Sequence, residues 1–411
     1  MDIPQLVGYV LSFAGIGVLG MVFARILRLE LTLACLLSGL LAGIVIDNTS
    51  LDIGLRASHV KDLVFYLFLP VLVFDAAWHL QPASLRRWFL PAMVYANLGA
   101  LLAIALSTVL MYLFMASPNG FPWQAALLTA VILCATDPVS VVNKLESSRA
   151  PTDLRTLFEA ESVLNDALAA VLFTAVLLYA AAMPADGGGS GGYLANFAWL
   201  FVGGSLCGLL FALLASGLLR WLDDLAGGVV VLLMLVFGTF YVAEHWLHSS
   251  GIIAVAVAAL TMHWRFDVNH KVGAQLLFDA ISAALQWLSR LFTLLIFALM
   301  GLVITLDMFT ERWLAMVIAI VAAVIARFIG VYACSGGLHL IGRGPERGWS
   351  LLLGWGGLRG AVAVALALSL PVSLPYWWTV QSMVFGVVLS TLLVQGASFG
   401  PLLRHVLHKR R

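Results

Sequence analysis

Glu161, Ser162, Asn165 and Asp166 lie within six positions, in the stretch "AESVLNDALA", inside a segment that is otherwise apolar from Val163 to Ala182. Helical spacing sorts them. Ser162 and Asp166 are i, i+4 and share a face; Glu161 and Asn165 do the same on a face turned by about 100°. A hydroxyl beside a carboxylate offers the oxygen ligands that a hard cation prefers, and the absence of Cys or His argues against zinc or copper. A carboxylate beside an amide suits a cationic side chain. Arg327, alone among apolar residues in "AIVAAVIARFIGVY", is the natural partner for Glu161. Arginine stays protonated in proteins, so this pair is expected to be a fixed strut. Asp137, in "CATDPVSV", is a further carboxylate in an apolar segment. With Glu161 neutralised by Arg327, Asp137 and Asp166 are left without a basic partner. Burial and mutual repulsion then make it costly for both to be charged. Such a carboxylate holds either a proton or an alkali cation, and competition for one site is the physical basis of cation/proton exchange.

The elements that must position these residues follow from composition. The chain of 411 residues is 62% hydrophobic and 10% charged, where an ordinary soluble domain is about a quarter charged. A soluble globule with an unusually apolar core could not cover itself with so little charge, so the expected class is an all-α polytopic membrane protein. Apolar stretches of the ~17–25 residues needed to cross hydrocarbon number thirteen: 6–24, 30–46, 60–80, 88–115, 121–143, 155–182, 193–219, 226–246, 250–264, 277–305, 313–340, 349–370 and 376–400. Sixteen Lys and Arg fall in loops on one side and three (Arg56, Lys61 and Arg312) on the other. The positive-inside rule then puts the N-terminus outside and the C-terminus in the cytoplasm of a bacterial-type plasma membrane. The net charge of +1 carries no nucleic-acid signal. Cys35, Cys134, Cys207 and Cys334 all fall within spans, with no metal-ligand spacing. Trp88, Trp123, Trp221, Trp246, Trp313, Trp377 and Trp378 lie at span ends and are expected in the interfacial belt. "EHWLH" (244–248) joins that belt rather than a zinc-peptidase site.

Depth singles out Asp166. Span six enters from the cytoplasm near Arg155, and eleven residues carry Asp166 roughly 16 Å inward, about half-way through a ~30 Å core. A charge there costs at least ~2.5–3.5 kcal/mol, which marks such residues as functional. Asp75, Glu159 and Arg359 are assigned to the cytoplasmic funnel as accessory residues. Glu159 is close enough to the interface to be merely solvated, and Asp75 either lines the entry or reaches interfacial water.

Two interruptions organise the chain. Span five is broken at Pro138, which frees carbonyls near Ala135 and Thr136. Span twelve carries "GWGGLRGAVA" (354–363), with four glycines in seven residues. Broken spans at matching places point to inverted repeats with a mid-membrane ion site. The expected organisation is a first membrane half (1–184, spans one to six) and a Gly-rich extracytoplasmic linker (185–192, within "ADGGGSGGY"). A second half (193–400, spans seven to thirteen) and a short basic cytoplasmic tail (401–411) follow. Gly204 and Gly208 of span seven, with the glycines of span one, offer small-residue faces for close helix approach.

"ATDPVSVV", "ESVLNDALAAVLF", "SGIIAVAVAAL", "IARFIGVY" and "GGLRGAVAVALAL", in this order, resemble the monovalent cation/proton antiporters, and the NhaP-type branch in particular. The resemblance covers almost the whole chain. It implies thirteen spans with crossed, unwound helices at spans five and twelve, a homodimer through spans one and seven, and elevator-like alternating access. It implies Asp166 as the ion and proton carrier. Na⁺ would sit at Asp166, Asp137 and Ser162, with the Thr136 carbonyl completing the site, while Glu161 holds Arg327 and Asn165. The Asn165-Asp166 pair resembles that of the electroneutral members. No cofactor is implied beyond the transported Na⁺ (or Li⁺ or K⁺) and H⁺, and no enzyme activity. The lack of a long tail implies no regulatory nucleotide domain. A K⁺/H⁺ exchanger of the same fold and, from another class, a cation channel are the competing readings.

Overall fold

The computed structural model describes residues 3–27, 29–48, 63–78, 82–115, 120–137, 139–181, 190–222, 225–267, 272–346 and 348–408. Among them every regular element is helical. In chain order these are α1 (Ile3–Leu27), α2 (Leu31–Asn48), α3 (Val64–Trp78), α4 (82–115), α5 (Trp123–Ile132), α6 (Val139–Ser147), α7 (Thr152–Ala181) and α8 (Ser190–Leu222). There follow α9 (225–246), α10 (Gly251–Asp267), α11 (Val272–Val303), α12 (Leu306–Leu340), α13 (Trp349–Trp355), α14 (Ala361–Leu368) and α15 (377–408). Among the described residues, seven helical stretches are long and apolar enough to cross a membrane, Thr152–Leu177 and Leu306–Leu340 being two of them. Large apolar side chains point outward, as lipid contact requires: Leu113, Phe114, Leu214 and Trp287 are exposed.

Residues 190–192, expected in the linker, already belong to α8, and residues 401–408, expected as tail, continue α15 through Pro401. Pro138 and the rest of the linker (185–189) lie outside the described residues. Trp88, expected in the interfacial belt, is buried within the protein with its ring 5.5 Å from that of Trp349. Glu244 of "EHWLH" accepts the Gly251 N–H at the start of α10, at 2.9 Å.

The helices pack in two groups that cut across the two sequence halves. One, the panel, joins α1–α3 to α8–α11; the other, the bundle, joins α4–α7 to α12–α15. Contacts between the groups run largely through α7 and α14, set against α3, α10 and α11. Small residues let panel helices approach closely: a side chain on Gly39 of α2 would strike the Ala298 carbonyl of α11, and one on Gly301 the Leu36 carbonyl. The same rule overturns one expectation. Gly204 and Gly208 do not form an outer face. A Cβ at Gly204 would lie 2.6 Å from the Ser250 carbonyl oxygen, and one at Gly208 would overlap Ala254, so α10 of the same chain already fills that groove. Gly20 of α1 likewise packs on Cys35 of α2.

Candidate ion-binding site

The four polar side chains of the Glu161–Asp166 stretch of α7 are buried: Glu161 and Ser162 at 2% exposure, Asn165 at 0% and Asp166 at 6%. Glu161 and Arg327 of α12 form the expected strut. Arg327 Nη1 donates to Glu161 Oε1 at 2.7 Å and Nη2 to Oε2 at 3.0 Å, a bidentate fork with geometric specificity. Nη2 also donates to the Leu353 carbonyl of α13 at 3.2 Å. Asn165 Nδ2 donates to Glu161 Oε1, so the amide steadies the carboxylate rather than the arginine.

The first interruption separates α5 from α6. Leu133 and Cys134 close α5 on Thr129 and Val131, after which the chain leaves the helix. Thr136 N–H donates to Asp166 Oδ1 at 3.0 Å, the Ser162 hydroxyl donates to the Thr136 carbonyl, and Thr136 Oγ1 lies 3.3 Å from Ser162 Oγ. Asp137, half-buried, donates its backbone N–H to the Leu358 carbonyl at 2.8 Å, which ties the first interruption to the second. The carboxylate of Asp166, the Ser162 hydroxyl and both oxygens of Thr136 are thus gathered at one point, and Asp166 and Asp137 interact electrostatically there.

The second interruption separates α13 from α14. Its glycines provide space rather than unusual backbone. A Cβ at Gly354 would press on Phe328, one at Gly356 on Phe158, one at Gly357 would lie 3.0 Å from Arg327 Nε, and one at Gly360 would overlap Asp137. Gly360 has φ −116°, open to any residue, so the constraint there is purely steric. Gly360→Ala is therefore expected to cost ~1–3 kcal/mol of stability through overpacking and to weaken cation binding with it. A melting midpoint and cation titration equal to the parent's would show that the two interruptions tolerate separation.

Arg359 corrects two expectations. It is not in a cytoplasmic funnel: at 5% exposure it sits where the interruptions cross, donating Nη1 to the Cys134 carbonyl at 3.1 Å and the Ala135 carbonyl at 3.5 Å. These are carbonyls released at the end of α5, where a helix presents partial negative charge. Its backbone N–H is held by Thr391 Oγ1 at 3.3 Å. Asp166 is also not without a cation, since the Arg359 guanidinium lies within electrostatic reach of it. The outlying candidates stay away from this crossing. Glu159 pairs with Arg155 at 2.7 Å, and Arg155 also pairs with Glu146, in a partly exposed cluster near the start of α7. Asp75 is half-buried on α3, in the panel.

A second layer escaped the sequence reading. Tyr95 of α4, 2% exposed, hydrogen-bonds through its hydroxyl to Ser335 of α12 at 2.7 Å, and Ser350 of α13 donates to the same Ser335 oxygen at 2.8 Å. This chain ties together three helices around the strut. Its one signal was a tyrosine in mid-span, whose buried hydroxyl must find a partner.

Residues 10–405 match the family model described as "Sodium/hydrogen exchanger, transmembrane". The chain is 31% identical over 404 residues to the Na(+)/H(+) antiporter NhaH of Halobacillus dabanensis, covering 96% of each. It is 31% identical over 411 residues to the Na(+)/H(+) antiporter NhaP of Pseudomonas aeruginosa, covering 93% of this chain and 92% of that one. The solved structure of the sodium proton antiporter MjNhaP1 from Methanocaldococcus jannaschii has the same fold, with a TM-score of 0.76 at 20% identity over 97% of this chain and 98% of that one. With the family model matched over residues 10–405 and relatives 31% identical along nearly their whole length, this chain belongs to the transmembrane sodium/hydrogen exchanger family.

Proposed function

We propose that this chain exchanges one Na⁺ for one proton, electroneutrally, with Asp166 as the carrier. The observation that carries this is the charge balance at the crossing. Three carboxylates (Asp137, Glu161 and Asp166) face two guanidiniums (Arg327 and Arg359). With all five ionised the sum is 2 − 3 = −1, and one bound monovalent cation or one proton brings it to zero. Leaving that charge unbalanced in a buried site is costly, so the empty carrier resists crossing and the two ions alternate. Asp166, Asp137, Ser162 and Thr136 supply oxygens of the kind Na⁺ prefers.

The packing supports alternating access. The site is built on α7 and on the crossing of α5/α6 with α13/α14, all in the bundle, and α7 and α14 are the helices set against the panel. Movement of the bundle along the panel would carry the site from one side to the other. In this reading α5/α6 and α13/α14 each form one interrupted crossing. The chain then crosses thirteen times, as two inverted six-helix repeats plus α8, with the N-terminus outside. Dimerisation through α1 and α8 must use the outer leucine face of α8, where Leu206, Leu210 and Leu214 are exposed, because the glycine face is taken. Disulfide crosslinking from Leu206→Cys and Leu210→Cys in membranes should give dimers, and dimers captured only from bundle positions would reject this pairing.

The deciding measurement is proton flux in proteoliposomes driven by Na⁺, Li⁺, K⁺ and Rb⁺ in turn. Flux with Na⁺ against its gradient supports the proposal. Response to K⁺ alone reassigns the cation, and cation flux without proton movement would make the protein a channel. One-for-one exchange moves no net charge, so its rate should not respond to a clamped membrane voltage. A net charge would be driven by ~2.3 kcal/mol per 100 mV, and a rate rising steeply with an inside-negative potential would refute the stoichiometry while leaving the exchanger standing.

A further inference from the structure

Glu30 lies outside every motif considered above, at the start of α2 in the panel, where its backbone carbonyl accepts the Ala34 N–H. Its carboxylate does not stay within the panel. Ser140 Oγ donates to Glu30 Oε1 at 2.7 Å, and Ser140 is a buried residue in the first turn of α6, in the bundle. Ser140 is three residues beyond Asp137, on the chain segment that leaves the first interruption. The same corner gathers α15: Lys144, one turn further along α6, donates its ammonium to the Gly396 carbonyl, and Glu30 Oε2 lies 3.9 Å from where a Cβ on Gly396 would stand. Gly396 ends the π-helical turn Thr391–Gly396 that begins at Thr391, the residue holding the Arg359 backbone. One panel carboxylate thus holds the start of α6, which leads back to Asp137, and stands beside Gly396, the end of the turn that begins at the residue holding Arg359.

We infer that Glu30 is a positioning residue for exchange: through Ser140 it registers the first turn of α6, and with it Asp137, against the panel. This rests on the reading in which the bundle moves along the panel, since a hydrogen bond between the two groups must then break and reform in each cycle. The bond holds the carrier in the conformation described here, and its loss shifts the balance toward the other. Glu30 itself is exposed, so the contribution is modest, on the order of a three- to tenfold change in that balance.

The test uses the full chain in proteoliposomes. Glu30→Ala and Ser140→Ala should each change the apparent KM for Na⁺ and the maximal rate, in opposite senses for the favoured and disfavoured side, by roughly three- to tenfold. The double variant should match the single ones, because both remove one bond. Glu30→Gln keeps a carbonyl oxygen for Ser140 and should restore most of the parent behaviour. Kinetics unchanged in both alanine variants, or independent multiplying effects in the double variant, would overturn the assignment. A second experiment separates it from the movement on which it rests. Oxidation of the Glu30→Cys, Ser140→Cys pair should stop exchange, and reduction should restore it. If the crosslinked carrier exchanges at the reduced rate constant, the movement of bundle past panel is wrong at this corner. If crosslinking stops exchange but the alanine variants behave as the parent, the movement stands and the positioning role of Glu30 falls.

Discussion

Asp166→Asn is expected to abolish exchange and leave the protein folded. The asparagine carbonyl can still accept the Thr136 N–H, now donated to Asp166 Oδ1 at 3.0 Å, so the crossing keeps its geometry. What is lost is the one group that can trade a proton for a cation in a site 6% exposed. The ledger also changes. Two remaining carboxylates balance the two guanidiniums, so the empty site is neutral and no longer needs a cation to become so. Both half-reactions fail together, and the expectation is transport at the level of protein-free liposomes with a melting midpoint close to that of the parent. Exchange near the parental rate in the purified variant would remove Asp166 from its role as carrier. A collapsed melting midpoint would instead identify it as structural.

The strut gives the largest expected effect on stability. Arg327 is 7% exposed and Glu161 2%, and three donors converge on the carboxylate: both terminal nitrogens of Arg327 and the Asn165 amide. Glu161→Ala leaves the charge-bearing end of the guanidinium with the Leu353 carbonyl as its acceptor, and Arg327→Ala leaves the carboxylate with the neutral amide. Breaking a buried pair by removing one partner costs ~3–5 kcal/mol, most of it the penalty for the charge left behind. Each single substitution should therefore lower the melting midpoint steeply. The double substitution removes both charges and should recover part of the loss, because what remains is a cavity and lost packing. A double-mutant cycle in detergent measures this directly. Additive losses with no recovery would mean that the two side chains do not interact energetically, whatever their distance.

The two substitutions also separate roles that a shared location would confuse. Asp166 is held by one backbone N–H and a hydroxyl-lined surround, which leaves it able to change occupant. Glu161 is saturated by a fork and an amide, which fixes it. In the proposed function two carboxylates on the same helix, five positions apart, are a carrier in one case and a brace in the other, and the number of donors aimed at each separates them.

Much of this was determined by the sequence alone, for reasons that are local or compositional. Apolar stretches with so few charges can only be helices in lipid, because every backbone polar group must be satisfied within its own segment. The i, i+4 spacing sorted Glu161 with Asn165 and Ser162 with Asp166, and the scarcity of intramembrane cations left Arg327 as the partner of Glu161. The interruptions were legible because proline and clustered glycine disturb a helix wherever it lies. Tertiary structure alone decided the rest. Arg359 reaches carbonyls 224 and 225 positions away, and no local pattern distinguishes a cation that caps a broken helix from one that lines a funnel. Gly354, Gly356, Gly357 and Gly360 read as a break in span twelve, and what the sequence could not show is that Phe328, Phe158, Arg327 and Asp137 occupy the space a side chain there would need. Gly204 and Gly208 read as a contact for a second copy, yet α10 lies in that groove. The panel and bundle each combine helices from both halves of the chain, because close packing depends on which faces fit, and that fit is settled between residues far apart in sequence.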